Sequence, residues 1–220
     1  MRTQIRIVAG TLRGRKLACD VNPDLRPTPQ RVRESIFSIL GNAIPGRPFF
    51  DVFAGTGVFG MEAVSRGASS AIFVERDFRL LDTIEKALRS FKIERVGRVV
   101  RGDAYRWVER WVPPAEAVNV FLSPPFADLS QRPDDLLAVI REVQSRVSIG
   151  SVLVLQAEQS DMLANLPEGD QWDARKYGRN HVLFWVKEDP AGPPSDVLSL
   201  DAAPSEDADT PDEESESDPV

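Results

Sequence analysis

Asp51-Val-Phe-Ala-Gly-Thr-Gly-Val-Phe-Gly60 is the stretch from which the fold of this chain is read. Phe49 and Phe50 lead into it, so it begins as a short buried strand. Gly55, Gly57 and Gly60 turn the chain, and an apolar stripe resumes through Val58, Phe59, Met61, Ala63 and Val64. Strand, glycine turn and helix start follow one another within about twenty residues. Glycines let a backbone approach a ligand closely, and a helix N-terminus offers unpaired N–H groups. The pattern predicts a nucleotide-like ligand; its bland alternative is a tight connection that binds nothing.

Outward from this unit the pattern alternates. Ala71–Glu75 reads as a second strand, and Asp77 caps a helix with Leu80, Leu81, Ile84, Ala87, Leu88 and Phe91 at helical spacing. Gly97–Arg101 is a third strand, followed by a short helix from Ala104 to Trp111 that Pro113-Pro114 stops. Ala117–Leu122 is a fourth strand, and Pro133-Asp134 starts a helix through Val143. Ser151–Leu155 is a fifth strand, and Trp172–Tyr177 with Val182–Val186 read as a closing hairpin. Successive βα units predict an α/β fold, a Rossmann-like, mostly parallel sheet with helices on both faces and a C-terminal antiparallel hairpin. Before it, Ile5–Val8 reads as a strand between turns at Gly10 and Gly14, and Thr28 or Pro29 begins a helix that ends near Gly41.

Charge is segregated along the 220 residues. Asp189 to Val220 hold 11 acids and no Lys or Arg; of the whole chain's 27 bases and 34 acids, that leaves 27 and 23 in residues 1–188, a net of +4. The first fifty residues carry nine bases against three acids. A basic N-terminal extension (residues 1–45), the Rossmann-like domain (46–188) and an acidic tail (189–220) are expected, the tail disordered because it has too little apolar surface to offset the entropy of ordering. No apolar run approaches a membrane span, no apolar signal core follows the N-terminus, and Cys19 is the single cysteine. A reduced, cytoplasmic protein follows, without membrane or metal partner, and a monomer is expected.

In a sheet of this kind, ligands bind beyond the carboxyl ends of the strands. Asp51 with its glycine turn, Glu75, Asp103 and Ser123-Pro-Pro-Phe126 all fall at those ends. The run Gly55-Thr-Gly-Val-Phe-Gly60 matches GxGxxG, which alone would equally suit a dinucleotide-dependent dehydrogenase. Glu75 is placed to accept both ribose hydroxyls, and Asp103 to accept from an adenine amine. With Asp51 inside the first strand's end, an adenosine ligand with a charged amino-acid end, S-adenosylmethionine, uses all of these. Two prolines directly after a buried strand end the ladder and aim carbonyls outward. Phe126 can stack on a base, and the Ser123 hydroxyl and Pro124 carbonyl can accept from an exocyclic NH2. Basic side chains on the N-terminal hairpin suit phosphate contacts.

DxFxGxGxxG followed by [N/D/S/T]PP[F/Y/W] resembles the Rossmann-like amino-methyltransferases. Arg6-Ile-Val-Ala-Gly10, Arg13-Gly-Arg-Lys-Leu17, Arg26-Pro-Thr28 and Arg31-Val-Arg-Glu-Ser-Ile-Phe37 narrow the resemblance to the RsmD family, bacterial 16S ribosomal RNA (guanine-N2)-methyltransferases. The resemblance runs from about Arg2 to Glu188 and implies S-adenosyl-L-methionine as methyl donor. It implies a guanine N2 in 16S rRNA as acceptor, within the small ribosomal subunit or an assembly intermediate. Cofactor contacts are expected from Asp51, Phe53, Gly55, Thr56, Gly57, Glu75, Arg76, Asp103 and Ala104. Base contacts and catalysis are expected from Ser123, Pro124, Pro125 and Phe126, and RNA phosphate contacts from Arg13, Arg15, Lys16, Arg26, Arg31 and Arg33. The chain departs from the family at Ser123, where Asp or Asn is usual; serine is shorter and carries no carboxylate. Serine occurs at this place in similar cytosine-N4 DNA methyltransferases. Two rival functions are thus a DNA amino-methyltransferase (cytosine N4 or adenine N6) and an RNA-binding protein that keeps the fold without catalysis.

Overall fold

The computed structural model describes residues 2–20, 27–193 and 196–198. Seven strands form one sheet: β3 (Pro48–Val52), β4 (Ser70–Glu75), β5 (Gly97–Arg101), β6 (Asn119–Leu122), β7 (Val152–Glu158), β8 (Asp173–Tyr177) and β9 (Asn180–Val186). Their order is β5-β4-β3-β6-β7-β9-β8, and the five strands from β5 to β7 are parallel. β9 runs antiparallel to β7, and β8 antiparallel to β9, as the closing hairpin requires. A separate two-stranded ribbon pairs β1 (Arg2–Arg6) with β2 (Lys16–Asp20).

Alternate strand residues point to opposite faces. Phe49, Phe73, Phe121 and Val154 face α1 (Gln30–Leu40), α2 (Val58–Ser65) and α3 (Phe78–Phe91). Phe50, Val52, Val120, Leu122 and Leu155 face α4 (Ala104–Arg110), the one-turn α5 (Asp128–Gln131) and α6 (Pro133–Arg146). The central strands β3 and β6 are buried on both sides, which is why they read as continuous apolar runs.

Ile5, Ile7, Leu12 and Leu17 of the basic ribbon lie in the same core as α1 and α2. Polar contacts lock this packing. The Glu62 carboxylate, fully buried on α2, accepts the Val8 and Ala9 N–H groups at 3.0 and 3.1 Å and the Arg66 guanidinium at 3.0 Å. Ser65 receives the Leu12 N–H at 2.9 Å and donates to the Ala9 carbonyl. Gly10 has φ +79°, and a Cβ there would lie 1.8 Å from the Ser65 carbonyl oxygen, so only glycine permits this approach. At the other end of the chain, Val197 and Leu198 pack against this same core, and residues 199–220 of the acidic tail lie outside the described residues.

Candidate active site

β3 lies between β4 and β6, and the strand order reverses there, so a crevice opens at the carboxyl ends of β3 and β6. The glycine turn forms one wall. Ala54 N–H donates to the Val74 carbonyl at 3.0 Å, and Gly57 N–H donates to the Ala54 carbonyl at 2.7 Å. Gly57, at φ +75°, precedes α2, and a Cβ on Gly60 would lie 2.3 Å from the Phe73 ring. The first residue demands a left-handed backbone, the second a helix pressed onto β4. Phe53 also has a positive φ, 65°, which is rare for a non-glycine residue and marks strain held at the crevice. Thr56 is buried within the turn, and Gly55 is half-buried.

Asp51 is 1% exposed, and one of its oxygens accepts the Gly60 N–H at 3.0 Å. Burial pushes its carboxyl up to about 8; the Gly60 N–H opposes the rise and the charge of Glu75 adds to it. Asp51 is therefore mostly protonated at neutral pH until a cation approaches. Glu75 ends β4 with three acceptor contacts: Gly55 N–H at 2.9 Å on one oxygen, and the N–H groups of Arg76 and Asp77 at 2.8 and 2.9 Å on the other. A carboxylate has about four lone-pair positions. One position is thus left free, and a ligand that offered two hydroxyls to Glu75 would have to displace a backbone partner, a competition the sequence does not disclose. Arg76 is exposed and meets Glu75 only through its backbone N–H. Asp103 caps α4, one oxygen accepting from Tyr105 and Arg106 N–H at 3.0 and 3.3 Å. Its other oxygen has no hydrogen bond among the described residues. Ala104, next to it, is buried at the head of α4.

The acceptor segment leaves β6 still attached to β3, because Ser123 N–H donates to the Val52 carbonyl at 3.3 Å. The Ser123 hydroxyl and the Pro124 carbonyl make no hydrogen bond among the described residues. Pro125 is exposed, and its carbonyl accepts Asp128 N–H at 2.9 Å, so that carbonyl belongs to the turn into α5. Phe126 is half-buried against the core on the α4 and α6 face.

Three residues that sequence reasoning missed join the two halves of the crevice. The Tyr105 hydroxyl donates to Asp128 at 2.6 Å, and the Phe53 ring meets the Tyr105 ring edge-on at 5.4 Å. Burial, then the Asp128 hydrogen bond, push the Tyr105 hydroxyl upward. The Arg132 guanidinium lies 3.8 Å over the Tyr105 ring and pairs with Asp135 at 2.9 Å. The available signal was position alone: Tyr105 lies two residues beyond Asp103, and Asp128 two beyond Phe126.

Among the expected RNA contacts, Arg13, Lys16 and Arg31 are exposed. Arg15 is exposed too, but its guanidinium donates to the Ser90 carbonyl at 3.1 Å and sits 5.6 Å from the Phe91 ring centroid. Arg26 lies outside the described residues. Arg33 must be withdrawn as a phosphate contact. It is 2% exposed and donates to the Thr28 carbonyl at 2.8 Å and the Arg6 carbonyl at 2.9 Å. A guanidinium so enclosed is a strut between α1 and the ribbon. Burial lowers its pKa, with Glu62 opposing the shift.

Residues 5–186 match the family model described as Conserved hypothetical protein 95. The chain is 33% identical over 188 residues to "Putative rRNA methyltransferase YlbH" of Bacillus subtilis (strain 168), covering 83% of this chain and 99% of that relative. It is 40% identical over 123 residues to "Ribosomal RNA small subunit methyltransferase D" of Escherichia coli (strain K12), covering 56% of this chain and 61% of that relative. Among solved structures, "Putative methyltransferase yhhF from Escherichia coli" is similar with a TM-score of 0.69 and 28% identity, covering 84% of this chain and 99% of that one.

Proposed function

We propose, on the premise that the chain belongs to the Conserved hypothetical protein 95 (RsmD) family, that it is a methyltransferase acting on the exocyclic N2 of a guanine in small-subunit ribosomal RNA. The observation that carries this reading is the crevice where a glycine turn and three carboxylates meet a Ser-Pro-Pro-Phe segment with two free acceptors. S-adenosylmethionine supplies a methyl group on a cationic sulfur. The residues fit it: among the described residues buried Asp51 has no cationic partner and Asp103 keeps an oxygen without a hydrogen bond, which would accept an amine, and Glu75 at the end of β4 would accept from the ribose.

The chain's own residues would work by positioning. Phe126 would hold the guanine ring, and Ser123 Oγ and the Pro124 carbonyl would accept the N2 hydrogens. Accepting them localises the nitrogen lone pair, which is otherwise spread into the ring. A methyl donor held by Asp51, Glu75 and Asp103 would supply the methyl group to that lone pair, and the surplus N2 proton would pass to water. Fixing the attack line and excluding alternatives supplies much of the barrier reduction. Arg13, Lys16 and Arg31 would meet phosphates on the ribbon side. No helix among the described residues is long and apolar enough to cross a membrane, and we place the reaction in the cytoplasm, on the subunit or its assembly intermediate. The test is transfer of a labelled methyl group to immature small subunits, naked 16S rRNA and DNA side by side. Label in rRNA supports the reading. Label in DNA alone would favour the amino-methyltransferase of DNA that the serine also suits.

A further inference from the structure

A buried polar chain connects the start of α1 to the acceptor edge of the sheet. Arg33 donates to the Thr28 carbonyl at 2.8 Å, and the Thr28 hydroxyl donates to Gln156 Oε1 at 2.9 Å. Gln156 Nε2 in turn donates to Asn180 Oδ1 at 3.2 Å. Thr28 and Gln156 are 8% and 3% exposed, so the bond between them is shielded from water and either partner, if lost, would leave the other unsatisfied. Gln156 sits at a telling register. Leu122, the last residue of β6, pairs with Leu155 of β7, so Ser123 leaves β6 beside the position that Gln156 takes on β7. By strand alternation the Gln156 side chain projects to the face of Val154 and Phe121. Thr28 thus pins the segment before α1 beside the proposed base acceptor, from a point some hundred and thirty residues away in sequence.

We infer that Thr28 and Gln156 are positioning residues for the acceptor slot: through their hydrogen bond the Pro27–Pro29 segment becomes a fixed wall of the space in which the base is presented to Ser123. This inference rests on the function proposed above. Among the described residues neither side chain hydrogen-bonds to Asp51, Glu75 or Asp103, so on this inference the wall serves the RNA side. Arg33, held between the Arg6 and Thr28 carbonyls, ties the same wall to the basic ribbon. A base docked at the slot and a phosphate docked on the ribbon are thereby kept in one register.

The test compares wild type with Thr28→Val, which keeps the shape and removes the hydroxyl, Thr28→Ser, which keeps the hydroxyl, and Gln156→Met, which keeps the length and removes both bonds. Methyl transfer to immature small subunits, affinity for S-adenosylhomocysteine and melting temperature are read for each. The expected result is a loss of about 10- to 100-fold in kcat/KM for RNA in Thr28→Val and Gln156→Met. Cofactor affinity should stay within about twofold, and Thr28→Ser should recover most of the rate. A loss that only follows the melting temperature, or falls equally on cofactor affinity, overturns the inference; so does a wild-type rate in Thr28→Val. If wild type itself labels no RNA, the proposed function fails and the inference falls with it, whereas an active wild type with unaffected variants sinks the inference alone.

Discussion

Substituting Asp51 by asparagine should abolish a pH dependence that the wild-type protein carries in both stability and cofactor affinity. Asp51 is 1% exposed and its carboxyl is raised from 3.8 to about 8, chiefly by burial. An unfolded chain releases this proton near the ordinary value, while the folded chain keeps it until about pH 8. Between the two values the native state binds more protons, so stability falls as pH rises, by up to about 1.4 kcal/mol per pH unit from this group. A cationic amino group reverses the balance, because it favours the ionised carboxylate. If the amino-acid end of S-adenosylmethionine pairs with Asp51, binding must expel the proton. With about 1% of the carboxyl ionised at pH 6 and about 10% at pH 7, affinity should rise about tenfold per unit in that range. The ligand's own amine, with a pKa near about 7.7–8.0, stays charged there and does not disturb the slope. Calorimetry in buffers of different ionisation enthalpy reads the released proton directly. Asp51→Asn keeps an acceptor for the Gly60 N–H but cannot ionise, so its weaker affinity should be flat with pH and release no proton. A wild-type affinity independent of pH between 6 and 7, or the same slope in the variant, would refute the pairing.

Phe126→Ala should lower methyl transfer to RNA by the worth of a base stack, about 1–3 kcal/mol, while S-adenosylhomocysteine still binds normally; a wild-type rate in a competition assay would reduce Phe126 to core packing. Gly60→Ala places a Cβ 2.3 Å from the buried Phe73 ring and should destabilise the fold by about 1–3 kcal/mol in urea melts; unchanged melts would mean that α2 does not press on β4. Removing residues 199–220 deletes nine acids (the tail's 11 less Asp189 and Asp196) and no base, yet keeps Val197 and Leu198 against the core. The melting temperature should hold, and non-specific RNA binding should tighten most at low salt, since screening acts over about 8 Å at physiological ionic strength. Equal affinities across a salt series would show that the tail does not compete with RNA.

The sheet was legible because its signals are periodic and local. β4, β5 and the closing hairpin fall within a residue or two of their sequence boundaries, and the glycine turn sits where three glycines and an apolar stripe place it. Charged side chains misled where identity and spacing disagreed. Arg33 stands at i−3 and i−4 to Ile36 and Phe37, on the buried side of α1, yet an arginine reads as solvent-facing. Glu62, an acid inside the apolar stripe of α2, was not read at all: besides Arg66 one turn along, its partners are backbone N–H groups more than fifty residues away. Such remote backbone partners belong to tertiary structure and leave no local trace. The triple engagement of Glu75 and the Thr28–Gln156 bond were hidden for the same reason, since each joins segments that only the folded sheet brings together.

The central claim is that the Ser123-Pro-Pro-Phe126 slot presents a guanine N2 to the methyl donor. Nucleoside analysis of small-subunit rRNA after incubation with the protein and labelled S-adenosylmethionine tests it most directly. The account predicts that the label elutes as N2-methylguanosine and that its yield falls in Phe126→Ala by the worth of a base stack, about 1–3 kcal/mol. Label on any other base or atom, or on N2 with equal yield from the variant, would contradict it.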